Sequence, residues 1–153
     1  MLLLSLLCSF VNAKTLDENL EYGWIWETSP TVEICPDSEL SANQVIESIS
    51  YWLDRGVDVD IQGVQYVEHC DLKKRNVIQI MGDRNVPFDE NARTSISWYY
   101  YGKKNKNTTF YIRATRVQLP YEASNNNTIV LHEIGHALGL EHTSNDHIMQ
   151  THH

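Results

Sequence analysis

Leu131-His132-Glu133-Ile134-Gly135-His136-Ala137-Leu138-Gly139-Leu140-Glu141-His142 is the stretch on which the reading of this 153-residue chain turns. Thr128–Leu138 is apolar and long enough to be a helix, with Asn or Ser residues of the preceding Ser124–Asn127 stretch available as its cap. On a helix, side chains four positions apart lie about 40° apart around the axis and roughly 6 Å apart along it. His132 and His136 can therefore converge on one ion from the same face. Glu133 is turned by about 100° from His132, so it is free to reach a water molecule there instead of serving as a ligand.

A continuous helix would carry His142 about 240° round from His136 and away from any shared ion. Gly139 is the residue that can turn the chain back, because without a Cβ it enters the left-handed region at little cost. Three neutral imidazoles and one open position make a catalytic zinc site, whereas a structural site is closed by four protein ligands. Zinc held in this way brings a bound water to a pKa near 7 and polarises a carbonyl.

Met149 follows in His147-Ile148-Met149. A His-Glu-x-x-His-x-x-Gly-x-x-His motif with a later methionine turn resembles the metzincin zinc endopeptidases. Within them, Leu131–His142 is most similar to the matrixins, the matrix-metalloproteinase-like group of peptidase family M10. Ser50-Tyr51-Trp52-Leu53 resembles the end of the matrixin first helix, and Val86-Pro87-Phe88-Asp89 an element that follows the third strand. The resemblance implies that His132, His136 and His142 are ligands of one catalytic zinc, with Glu133 the general base on a zinc-held water. It also implies that Met149 is an apolar floor beneath the metal. It further implies an edge strand, best matched by Ser95–Tyr101, that binds substrate backbone by β-augmentation. The alternative for that strand is an ordinary sheet edge with Trp98–Tyr101 partly in the core.

Upstream, Thr31–Cys35 alternates polar and apolar side chains as a half-buried strand does, and Pro36-Asp37 ends it. Ser41 and Gln44 have capping-box spacing for a helix whose apolar face is Ala42, Val45, Ile46, Ile49 and Leu53, stopped at Gly56. Val57–Tyr66 holds short alternating runs, and Val77–Met81 is another strand. Ser95–Tyr101 and Thr109–Val117 form a hairpin about the polar Gly102–Asn107 turn. The fold class expected is α+β, of the zincin-like metzincin type. It has a twisted mixed sheet, an edge strand and two main helices, the second bearing the zinc motif, with a truncated C-terminal subdomain.

That truncation is one of several departures from the family. The chain stops four residues after Met149, where matrixins continue through a Tyr-Pro segment and a final helix that wall the pocket beyond the scissile bond. The pocket is expected to be open, unless the sequence is a fragment. His147, His152 and His153 are read as solvated or weakly metal-binding. No histidine lies between His69 and His132, so the second, structural zinc of the family is not expected. Asp83, Asp89 and Glu90 could serve calcium, but loop acids are more often simply solvated.

Residues 1–13, MLLLSLLCSFVNA, read as a cleavable secretory signal, too short to span a bilayer, with residues 14–153 as one catalytic domain. The alternative is a buried amino-terminal strand. Cys8 would leave with the signal, and the remaining pair, Cys35 and Cys70, reads as a disulfide in an exported domain, against two unpaired thiols. Cys35-Pro36-Asp37 superficially resembles the cysteine switch of latent matrixins. It falls inside the catalytic domain, however, so it is read as a half-cystine and the protein as lacking a propeptide. Asn107-Thr108-Thr109 and Asn126-Asn127-Thr128 are glycosylation sequons.

With 12 basic against 20 acidic residues and a net charge of −8, the chain does not suit nucleic acid, and Lys103, Lys104 and Lys106 form a short basic group on a polar loop. The expectation is a secreted, monomeric zinc endopeptidase that binds protein or peptide substrates along the edge strand, without stable membrane insertion. The rival readings are a zinc-binding but catalytically weak adhesion or host-interaction module, and a zinc hydrolase of small molecules.

Overall fold

The computed structural model describes residues 15–83, 92–146 and 148–150. The signal segment 1–13, the Val86–Asp89 element, Asp89, Glu90, His147, His152 and His153 lie outside the described residues.

In chain order the elements are β1 (Ile25–Trp26), β2 (Thr31–Ile34), α1 (Ala42–Asp54), β3 (Gly63–Tyr66), β4 (Val77–Asp83), β5 (Arg93–Tyr99), β6 (Tyr111–Pro120), a 3₁₀ turn at Ala123–Asn125 and α2 (Asn127–Ala137). One sheet takes all the strands. β3, β2, β4 and β6 run parallel side by side, and β1 adds a short parallel pairing to the start of β6 beyond the end of the β4 contact. β5 pairs antiparallel with the opposite edge of β6, Thr94 against Val117 and Ile96 against Thr115. The sheet is therefore mixed, and among the described residues β5 has β6 as its only strand partner.

Both helices pack on one face of this sheet. Val32 and Ile34 of β2, Ile78 and Ile80 of β4, and Val117 and Leu119 of β6 meet Val45, Ile49 and Trp52 of α1 and Val130 and Ile134 of α2. The capping box forms as its spacing predicts: Ser41 Oγ accepts from the Gln44 N–H, and Gln44 Oε1 accepts from the Ser41 N–H. The buried side of α1 differs from the expected one. Val45, Ser48, Ile49 and Trp52 point inward, while Ile46 is 47% exposed. One step from Val45 turns a side chain by about 100°, which carries Ile46 off a face whose width Trp52 already fills. Gly56, at φ 87°, ends the helix as expected.

The opposite face of the sheet carries buried polar groups and is covered by the segment before β4. Glu33 is bound by Lys74 and by Gln79, which also donates to the Asp71 carbonyl, and Arg116 donates to the Leu72 carbonyl. Cys35 and Cys70 are joined in a disulfide that ties this segment to the end of β2. Such a staple lets a short polar segment stay seated over backbone that would otherwise meet water.

Of the Val57–Tyr66 stretch, only Gly63–Tyr66 is strand. The hairpin forms, but its strands are displaced from the expected limits, beginning at Arg93 and Tyr111 and ending at Tyr99 and Pro120. Trp98, Tyr100 and Tyr101 are 43%, 38% and 65% exposed, so the aromatic run lies outside the core.

Candidate metal centre and active site

α2 begins at Asn126, whose side-chain oxygen accepts from the N–H groups of Thr128 and Ile129. The helix sets His132 and His136 one turn apart facing β5, then ends where Gly139 adopts φ 106°. A Cβ on Gly139 would stand 2.2 Å from the Trp24 carbonyl oxygen, so the turn needs both the glycine's conformation and its missing side chain. The Gly139 carbonyl accepts from the Gly23 and Trp24 N–H groups, which clamps the turn against the amino-terminal segment. His142 is thereby returned to the other two imidazoles.

The three Nε2 atoms lie 3.1, 3.1 and 3.2 Å from one another. Tetrahedral coordination at 2.0–2.1 Å separates ligand nitrogens by about 3.3 Å, so the donor set fits one zinc-sized ion. The second ring nitrogens support the same conclusion. His132 Nδ1 lies against the Ile148 carbonyl, and His136 Nδ1 lies 2.8 Å from the Leu140 carbonyl. A carbonyl only accepts, so each Nδ1 must donate, which leaves each Nε2 lone pair facing the cluster. Burial, resisted by the bond to Leu140 and helped by the two neighbouring imidazoles, pushes the His136 pKa down to about 4. That ring is neutral, as a ligand must be, throughout the ordinary pH range.

Glu133 is buried beside the cluster. Burial raises its pKa, and a hydrogen bond from Thr94 opposes the rise. A cavity of about 530 Å³ opens on it, lined by Arg93, Thr94, Ile129, His132, Glu133 and His136 among others. A second hollow of about 360 Å³ is lined by Trp24, Thr94, Ile96, His136, Glu141 and His142. Thr94, His136 and His142 border both, so the two hollows flank the histidines along β5.

Met149 is wholly buried under α2, where a Cβ on Gly135 would come within 2.7 Å of its sulfur. Trp52 presses on the same glycine and donates to the Leu131 carbonyl at 2.8 Å, bracing the metal-facing helix from behind. Asp146 organises the segment between His142 and Met149. Its Oδ1 accepts from the N–H groups of Ile148 and Met149, its other oxygen pairs with Arg55, and Arg55 also bridges to Asp17. The Thr143 N–H closes the loop onto the Met149 carbonyl.

The structure thus brings together His132, His136, His142 and Glu133, with Gly139 at the turn and Met149 below. Cys35 and Cys70 pair elsewhere, and Asp83 is the last residue of β4. Sequence reasoning missed Thr94, Trp24, Arg55 and Asp146. Thr94 fell one residue outside the expected strand. The only local signal for Asp146 was an acid two positions before Ile148, the spacing of an Asx turn.

A mixed sheet bearing two helices, with three histidines gathered at the end of the second, has the makings of a metal-binding domain. The family model described as matrixin, peptidase family M10, matches residues 33–153, and the chain belongs to that family. No curated protein matches the chain. Matrixins bind zinc, and the His132, His136 and His142 triad could hold a metal ion.

Proposed function

We propose that the protein is a zinc-dependent endopeptidase in which His132, His136 and His142 hold the ion and Glu133 moves the proton. The observation that carries the reading is the convergence of three Nε2 atoms within 3.2 Å of one another, in a cleft that also contains the Glu133 carboxylate. When bound, zinc would supply Lewis acidity for the scissile carbonyl and for an attacking water.

The remaining work belongs to the chain's own residues. Glu133 accepts a proton from the attacking water and returns it to the departing amine. A carboxylate whose pKa burial has raised suits both halves of that task, being a better base than a solvated one and a competent acid once protonated. The outer edge of β5, which has no strand partner among the described residues, is suited to hold an extended peptide by backbone hydrogen bonds, with the flanking hollows taking side chains. The disulfide supports export to an oxidising compartment, as secretion requires.

The test is incubation of the zinc-loaded protein with unfolded casein. The expected result is one zinc per chain, cleavage abolished by a chelator and restored by zinc, and loss of at least about 100-fold in rate for Glu133→Ala with zinc retained. A zinc-loaded protein that leaves casein intact would favour the binding-module reading. Undiminished cleavage by Glu133→Ala would remove the assigned base.

A further inference from the structure

On β5 the side chains alternate: Arg93, Ser95 and Ser97 face solvent, while Thr94 and Ile96 are half-buried on the face toward α2. Thr94 is in this way aimed at Glu133. Its Oγ1 lies 2.6 Å from Glu133 Oε2 and 2.9 Å from the Glu133 backbone carbonyl. A hydroxyl has one hydrogen to donate, and an ionised carboxylate is a stronger acceptor than a neutral carbonyl. The bond therefore goes to Oε2 and leaves Oε1 available to the reaction.

We propose that Thr94 is a positioning residue, whose hydroxyl grips one oxygen of Glu133 and holds the other at the histidine cluster. The inference rests on the reading of Glu133 as the proton carrier, and it adds a coupling between substrate and base. β5 is the strand on which the peptide would lie, and the same strand carries the anchor for the base. Scissile bond and carboxylate are thus referred to one rigid element, rather than to a glutamate with three free torsions on a separate helix. A misplacement of about 1 Å between reacting groups can cost on the order of 100-fold in rate, so an anchor of this kind acts on turnover and not on binding.

Two substitutions separate the hydroxyl from the shape of the side chain. Thr94→Val keeps the volume and loses the donor, whereas Thr94→Ser keeps the donor. With a fluorogenic peptide, Thr94→Val is expected to lower kcat about 10- to 100-fold while KM and zinc affinity stay within about twofold, and Thr94→Ser to stay within about threefold of the parent throughout. Full kcat in the valine variant, an equal loss in both variants, or a loss confined to KM or zinc affinity would each overturn the proposal. Crystal structures of the two zinc-loaded variants supply a readout independent of activity. The carboxylate should leave its position in Thr94→Val and keep it in Thr94→Ser, and an unmoved carboxylate in the valine form refutes the anchor. If the parent cleaves no peptide, the endopeptidase reading fails by itself, and these structures alone decide whether Thr94 holds Glu133.

Discussion

Asp146→Ala tests whether the segment beneath the metal centre is held by design or merely follows the helix. The Asp146 side chain is 4% exposed and carries three contacts at once, the Arg55 guanidinium and the Ile148 and Met149 N–H groups. Breaking a buried ion pair costs about 3–5 kcal/mol. The lower end applies here, because Arg55 is 25% exposed and keeps Asp17 at 3.0 Å. Two N–H groups losing a charged acceptor cost about 1.5–3 kcal/mol, and the two losses overlap because they share one carboxylate. A destabilisation of about 4 kcal/mol results. At about 2.1 cal/mol/K of unfolding entropy per residue, the 153-residue chain should lose about 12 °C in Tm. The Ile148 carbonyl that orients His132 belongs to the same segment, so zinc affinity should fall about 10- to 100-fold. Differential scanning calorimetry of the zinc-free protein and a competitive zinc titration measure the two effects separately. Asp146→Asn, which keeps an acceptor for the backbone but not the charge, should fall between. A Tm within 3 °C of the parent together with unchanged zinc affinity would refute the argument.

Two further predictions follow from the same geometry. The unfolded chain protonates its histidines near pH 6.5, while folded His136 does so only at about 4. Between these values the unfolded state binds more protons, so the zinc-free protein should lose stability as pH falls through this window, by about 3 kcal/mol in all. Burial of Glu133 acts in the opposite sense, so the measurement is the difference in urea midpoint between the parent and His136→Asn across that range. Equal slopes in the two proteins would exclude His136 as the source. The Cys35→Ser, Cys70→Ser double variant opens a loop with a separation of 35 residues. The chain-entropy relation puts the loss at about 4 kcal/mol, and a calorimetric loss below about 1 kcal/mol would show that the segment before β4 is held by Glu33 and Gln79 without the bond.

What the sequence disclosed and what it hid divide along a physical line. The histidine spacing, the capping box at Ser41 and the turn at Gly139 depend on torsions and periods within a few residues, and each forms as its local chemistry requires. The face of α1 is another matter: Ile46 and Trp52 compete for burial, and only the shape of the partner, with Gly135 left open to Trp52, decides in favour of the indole. β1 is two residues long and has no periodicity to detect; it exists because the start of β6 extends past β4 and offers unpaired backbone. Thr94, Trp24 and Asp146 share this character, since each acts on a residue tens of positions away or through an ion pair that spans the chain.

The contacts that make the centre usable are thus drawn from outside the motif. α2 alone would set two imidazoles on one face, with a carboxylate about 100° round from the first and no fixed third ligand. Trp24 closes the turn that returns His142, the Asp146 segment sets the carbonyl that orients His132, and β5 reaches Glu133 through Thr94. Each of these anchors acts on a different part of the site: Trp24 on the Gly139 turn, Asp146 on the segment whose Ile148 carbonyl meets His132, and Thr94 on Glu133. Damage to one should therefore be read out by a different quantity: geometry of the third ligand for Trp24, metal affinity and stability for Asp146, turnover for Thr94. A uniform loss of all three properties in every variant would mean that the site responds as a single cooperative unit. Separable losses would establish that the sheet, the amino-terminal segment and the Met149 segment each hold one part of it.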